Sequence, residues 1–425
     1  METEDYWIYE NKIIFKPKFN AKLDDYLDII SKYNELIFSN YDDFNTAIET
    51  NNECTFHINY KLSKFNKICN IPENVTHLTF GYYFDKQITI PENVTHLTFG
   101  YKFNQQVIIP ENVTHLTFGS HFNQQVIIPE NVTHLTFGSY FNKQVIIPEN
   151  VTHLSFGWDF NKQVLIPENV THLIFGEKFN QQITIPKNVI HLTFGSYFNQ
   201  QLIIPENVTH LTFGFNFNKE ITIPKNVIHL TFGYEFNQQV IIPENVTHLD
   251  FGNKFNQQVI IPENVTHLSF GWDFNKQVII PENVTHLDFG NDFNQQVTIP
   301  KNVSHLTIGN NFDQQLYLSN IKCIKLDCNN INIIENLPNS VEEIIFLTNF
   351  NIELNNLPNS IKRIIFYCEY EKELNCLPEF VEYIQLPYNY DYQIKKIPLN
   401  LKTIKCYEKY RYINDFKDNY KVIIL

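Results

Sequence analysis

The chain is short of positive charge, of glycine outside one narrow context, and of long hydrophobic runs. Its 32 Lys and Arg stand against 46 Asp and Glu, a formal charge of −14, and no basic stripe is visible. Nucleic-acid binding leans on clustered cations that displace counterions, so a phosphate-tracking protein is not expected. The opening Met-Glu-Thr-Glu-Asp is acidic and no long apolar stretch follows it. Neither a secretory signal nor a membrane span is expected, which points to an intracellular, cytosolic protein. The seven cysteines (Cys54, Cys69, Cys323, Cys328, Cys368, Cys376 and Cys406) are odd in number, lack Cys-x-x-Cys spacing and avoid the regular part of the chain. They read as reduced and structural. The Asn-Val-Thr at Asn74 and its copies is formally a glycosylation acceptor. Coils this tight would hardly carry a glycan each, which again favours an intracellular address.

What is abundant is repetition. The segment Ile71-Pro-Glu-Asn-Val-Thr-His-Leu-Thr-Phe-Gly-Tyr-Tyr-Phe-Asp-Lys-Gln-Ile-Thr89 recurs thirteen times with a period of 19, from Pro72 and Pro91 to Pro300. All 13 glycines, Gly81 to Gly309, and 13 of the 15 histidines hold fixed places in it. A unit so short cannot enclose a core alone, so it must stack on its neighbours and share one apolar spine. The fold class predicted is a β-rich repeat solenoid, a curved stack of coils with a parallel β-sheet on one face and little helix except near the N-terminus.

Alternation within Val75-Thr-His-Leu-Thr-Phe80 sends Leu78 and Phe80 inward and His77 and Thr79 outward. Gly81 ends the strand, where positive φ or close backbone approach favours glycine. Phe84, Ile88 and Ile90 return to the core. Asn74, Asn93 and Asn112 at one corner, and Asn104, Asn123 and Asn142 at another, predict amide ladders that satisfy turn backbone. After Phe312 the Gly and His signatures stop, yet strands recur every 20 residues: Ile321–Leu326, Val341–Phe346, Ile361–Phe366, Val381–Leu386 and Leu401–Cys406. Pro338, Pro358, Pro378 and Pro398 hold the corner, and Tyr420–Leu425 closes the end.

The run Phe103-Asn-Gln-Gln-Val-Ile-Ile-Pro110, preceded by Val94-Thr-His-Leu-Thr-Phe-Gly100, resembles the FNIP repeat, a leucine-rich-repeat relative abundant in social amoebae and in giant viruses of amoebae. The likeness covers Ile71 to about Phe312. It implies a solenoid used for protein recognition, in the cytosol of a host cell if the source is viral. In that family the array often follows an F-box, which docks substrates onto a cullin ubiquitin ligase. Residues 1–55 offer one amphipathic helix, Ala21 to Tyr33, and no Leu-Pro opening, and Leu36–Phe38 and the following Phe56–Tyr60 read as strands. They read as an N-terminal cap rather than an F-box. The expected organisation is therefore a cap over 1–55, the 19-residue array over 56–313, and degenerate 20-residue repeats with a C-terminal cap over 314–425.

Candidate chemistry is sparse. The column His77, His96, His115, His134, His153, His172, His191, His210, His229, His248, His267, His286 and His305 could in principle share a metal or sense pH. Zinc needs converging ligands, whereas side chains at strand spacing lie parallel, so a structural ladder is expected, with no metal and no cofactor. Setting like charges side by side would lower the folded pKa of these imidazoles. Every coil presents the same residues, so no nucleophile or base is singled out, and no enzyme is expected. The most informative variation is the irregular pair after each glycine, where Tyr82, Tyr83, Tyr101, Tyr140, Trp158, Tyr197, Phe215, Tyr234 and Trp272 lie among charged and small residues. Aromatic anchors beside charges suit a protein-binding rim. Drift at an exposed turn is the plain alternative. The row Ile108, Ile127, Ile146 and Leu165, interrupted by Thr89, Thr184, Thr222 and Thr298, is either an exposed apolar patch or a buried corner. The leading expectation is a non-catalytic scaffold binding a protein partner, neither nucleic acid nor membrane. Alternatives are a ubiquitin-ligase adaptor and a self-associating repeat protein.

Overall fold

A computed structural model describes residues 2–43, 46–47, 62–347, 350–416 and 420–425. The strand expected at Phe56–Tyr60 lies outside the described residues. The chain forms two compact units, Met1–Gly214 and Phe215–Leu425, and both are stacks of short coils with a parallel sheet on one face.

In the first unit, β1 (Tyr6–Tyr9) folds back antiparallel onto β2 (Lys12–Phe15). The turn between them uses Glu10 at φ 50°. β2 then pairs in parallel with β3 (Glu35–Phe38), and β3 with β4 (His77–Thr79). The register places Ile13, Leu36 and Leu78 in one inward column, so the N-terminal strands extend the same spine. The helix expected from Ala21 to Tyr33 is shorter: a 3-10 turn over Leu23–Tyr26 runs into one α-helical turn, α1 (Leu27–Ile30). The chain unwinds there because the next coil uses its carbonyls. Asn74 Nδ2 donates to Tyr33 O at 2.6 Å, and the Thr76 and His77 amides donate to Asn34 O.

From His77 onward each coil contributes a three-residue strand that pairs with the previous one, His on His and Leu on Leu. The second unit repeats this from His229–Thr231 to His305–Ile308 and continues through Cys323–Leu326, Glu343–Phe346, Arg363–Phe366, Tyr383–Gln385, Thr403–Cys406 and Lys421–Ile424. The strands are shorter than the apolar runs suggest, because the first two residues of each run belong to the corner. Val75 N, for example, closes a turn onto Pro72 O. One element was not anticipated: α2 (Ile331–Glu335), started by Asn330, whose side chain accepts from the Asn332 amide.

The core is a pair of phenylalanine columns. Phe80 stacks on Phe84 in its own coil at 4.1 Å and on Phe99 in the next at 5.8 Å. Leu78, Phe80 and Phe84 and their copies are almost wholly buried. Burying each large apolar side chain contributes about 2 kcal/mol, so stability accrues coil by coil. Spacing widens across the coil: adjacent imidazoles of the first unit lie 4.1–4.4 Å apart, while rings of the Phe84 column lie 6.1–6.2 Å apart. The second unit behaves alike, with 4.2–4.3 Å against 6.0–6.2 Å. In each unit the coils therefore crowd together on the outward face of the sheet and spread at the back.

The glycines serve close approach. Their φ angles are not positive, but a Cβ at Gly100 would lie 1.8 Å from Gly81 O, and one at Gly157 would lie 2.0 Å from Gly138 O. Both asparagine ladders form. Asn93 Nδ2 donates to Glu73 O at 2.7 Å and Asn112 Nδ2 to Glu92 O at 2.8 Å. At the other corner the Asn123 amide donates to Asn104 Oδ1, and the Asn142 amide to Asn123 Oδ1. Each side chain thus satisfies backbone that a coil corner would leave unpaired.

Candidate protein-interaction surface

Of the side-chain rows that reach solvent, three carry imidazoles, aromatics or aliphatic groups, placed by the alternation of the coil. The first is the imidazole column on the crowded sheet face. Its rings lie nearly parallel, 8–20° from one another in pairs such as His286–His305 and His191–His210. In most coils Nδ1 sits 2.8–3.0 Å from the hydroxyl of the preceding residue, as in Thr95 and His96 or Thr209 and His210. His191 and His229 follow Ile190 and Ile228 instead. Crowding holds several imidazoles neutral. Loss of surrounding water, then repulsion from His77 and His115, depresses His96 to about 4. Burial followed by neighbouring imidazoles lowers His115, His134, His153, His172, His248 and His286. The expected direction is present, but desolvation, not charge repulsion, is the larger cause. Among the described residues no group of three or more His, Cys, Asp or Glu could hold a metal ion.

The second row is the rim after each glycine. Trp158 and Trp272 are each 54% exposed, and Tyr83, Tyr140, Tyr197 and Phe215 are also open to solvent. Tyr82, Tyr101 and Tyr234 are half-buried because they stack: Tyr82 on Tyr101 and Phe215 on Tyr234, both at 4.5 Å. Charges are interleaved, with Lys178 on Asp159 at 2.8 Å and Lys254 on Asp273 at 3.4 Å. Reading by period alone missed the continuation of this rim in the 20-residue coils. Aligning strands puts Tyr388 at the place of Tyr82, and Tyr367 and Tyr407 at the place of the glycine. Tyr367 and Tyr388 are exposed, and Tyr388 meets Tyr407 edge-on at 4.7 Å.

The third row lies at the back. Ile108, Ile127, Ile146, Leu165, Ile203, Ile241, Ile260 and Ile279 are 85–91% exposed. The even choice between patch and buried corner resolves as a patch, because Ile109 and its equivalents take the inward place.

Within the second unit the sheet face also holds a shallow groove of about 370 Å³ between His229 and Lys325. Asp250 and Asp288 occupy the outward column there, while the first unit has Thr, Ser or Ile in that column. Desolvation in the groove raises both carboxyls, Asp288 to about 6. These two aspartates were legible as departures from the repeat, the same signal that marked the rim.

The coil has counterparts among known proteins. The FNIP Repeat model matches at residues 65–102, 87–121, 103–128, 122–147, 143–178, 162–197, 179–216, 198–235, 217–254, 255–292 and 329–369, well over half of the chain. The chain belongs to the FNIP repeat family. The match at 329–369 extends FNIP character beyond Phe312, into the 20-residue coils. The FNIP chain is similar to CroV588, a giant-virus leucine-rich-repeat protein described as a circular structure. Identity is 32% and the TM-score 0.66, over 96% of this chain and 71% of that one. A leucine-rich-repeat protein from Bacteroides ovatus aligns at 15% identity over 72% of this chain and 84% of that one, with a TM-score of 0.26. No curated protein matches the chain. Among the described residues no helix is long and apolar enough to cross a membrane.

Proposed function

We propose that this FNIP-repeat chain is a non-catalytic intracellular scaffold that binds a protein partner across the crowded sheet face and the post-glycine rim. The observation that carries the reading is the rim itself. Trp158 and Trp272 stand more than half exposed beside ion-paired Lys and Asp, the composition in which a few aromatics supply most of the binding energy. The net charge of −14 argues against a nucleic-acid partner. The described cysteines are free thiols, five of the six buried, which suits a reducing compartment. Pull-down with the intact chain against a variant carrying Trp158→Ala, Trp272→Ala and Tyr234→Ala tests it. Loss of the same prey from the variant supports the reading, and undiminished capture contradicts it.

The exposed back row favours a second reading, in which two copies associate through Ile108, Ile127, Ile146 and Leu165. Light scattering that finds a concentration-dependent dimer, abolished by Ile127→Ser with Ile146→Ser, would support it. A monomer at all concentrations would remove it. The ubiquitin-ligase adaptor has no comparable observation in its favour. β1–β3 are spent on extending the sheet.

A further inference from the structure

The groove on the second unit's sheet face is lined by a row of imidazoles and two carboxylates, with hydroxyls between them and the Lys325 ammonium at one end. Thr266 Oγ1 gives its one proton to Thr247 O at 3.1 Å, and Thr285 Oγ1 gives its own to Thr266 O at 3.1 Å. Each hydroxyl oxygen can then only accept from the Nδ1 beside it, at 2.9 Å for His267 and 3.0 Å for His286. The same pairing recurs at Ser304 and His305. A neutral imidazole that donates through Nδ1 carries its lone pair on Nε2, so a line of acceptor nitrogens faces the groove. Between them Asp250 and Asp288 add carboxylates two coils apart, about 10 Å at strand spacing. Neither forms an ion pair within the described residues. Their hydrogen bonds go to Ser269 and Thr307. Lys325 and Cys323 close the far end of the groove.

We propose that this groove binds an extended arginine- or lysine-bearing segment of a partner protein, whose N–H groups meet the Nε2 lone pairs and the carboxylates of Asp250 and Asp288. The inference rests on the scaffold reading and names the chemistry of its partner. Guanidinium and ammonium groups are donors without acceptors, the complement of the imidazole lone pairs and carboxylates that line the groove short of Lys325. Carboxylates spaced by two coils match cationic side chains on an extended strand, where alternate residues share a face. The first unit has the same imidazole column, but Thr117, Thr136 and Ser155 stand in place of carboxylates, so the cationic site is confined to the second.

The test uses the full chain and a labelled peptide alternating arginine with threonine, followed by fluorescence anisotropy at fixed ionic strength. Asp250→Asn with Asp288→Asn should weaken binding about tenfold or more, as loss of close charge pairs does. Glu130→Gln with Glu149→Gln removes the same charge from exposed corners of the first unit and should change binding less than about twofold. Equal weakening by the two double variants would overturn the proposal, because the peptide would then be reading net charge. So would unchanged binding by the aspartate variant. If either occurs while the rim variant still loses its prey, the scaffold reading stands and only this inference falls.

Discussion

The 19-residue array and the 20-residue coils that follow it solve one packing problem by different means. In the array a three-residue strand ends early, the Phe80 amide donates forward to Thr98 O, and a glycine packs directly against the glycine of the coil before it. In the longer coils the strand gains a residue, as in Glu343–Phe346, and the next amide donates backward instead, Leu347 N to Leu326 O and Tyr367 N to Phe346 O. That extra rung lifts the following side chain clear, so Leu347 and Tyr367 can stand where the array has glycine. Pro387 departs from this pattern. Lacking an N–H, it cannot make the backward bond, and its coil reverts to a three-residue strand with Leu386 N donating forward to Lys405 O.

The polar columns differ in the same way. The array stacks like on like, His on His and Asn on Asn, which is tolerable because the groups are uncharged. The longer coils stack charges and alternate them: Lys322, Glu342, Lys362, Glu382 and Lys402 follow one another at the same place. Lys362 bonds Glu342 and Lys402 bonds Glu382, both at 2.8 Å, and Arg363 bonds Glu343 while lying over Tyr383. An uncharged column can be copied without limit, whereas a charged one must change sign at each step.

The largest effect is expected from Gly157→Val, whose Cβ would meet backbone at 2.0 Å. It should cost about 3 kcal/mol or more. Tyr367→Ala, at the matching place of a longer coil, should stay within about 0.5 kcal/mol. Urea midpoints of the two variants decide this. Next, Asn142→Ala removes the acceptor of the Asn161 amide and should cost about 1–3 kcal/mol, the penalty for stranding a partly buried donor. Smaller still, Lys362→Glu sets three carboxylates in a row, and should cost about 1 kcal/mol in dilute buffer, a loss that fades in high salt. Salt titration of the melting temperature reads it.

Most of the architecture was legible because a period of 19 leaves only a stack, and alternation then places Leu78 inward and Ile108 outward once the return leg is known to be extended. The role of glycine was only half legible: sequence allows either positive φ or close approach, and only coordinates distinguish them. The rim at Tyr367, Tyr388 and Tyr407 escaped because the marker glycine disappears when the coil lengthens. α2 escaped because Ile331–Glu335 replaces a return leg with a helix just where the period changes. The tautomer of the imidazoles follows from hydroxyl bonds between coils, which no single repeat contains.

An uncharged like-on-like column holds the array, while alternating charge holds the coils beyond it. In the array the lowered imidazoles are neutral in the fold, so stability is complete above the unfolded value near 6.5. It is lost as pH falls from there toward the depressed folded values, about 4 for His96. Histidine is absent after His305. Hydrogen exchange of the full chain, resolved by segment at pH 7.5 and at pH 5 and corrected for intrinsic rates, reads both regions at once. Protection should fall across the strands from His96 to His286 and hold in those from Glu343 to Cys406. Equal loss in both regions, or none in the array, would contradict the claim.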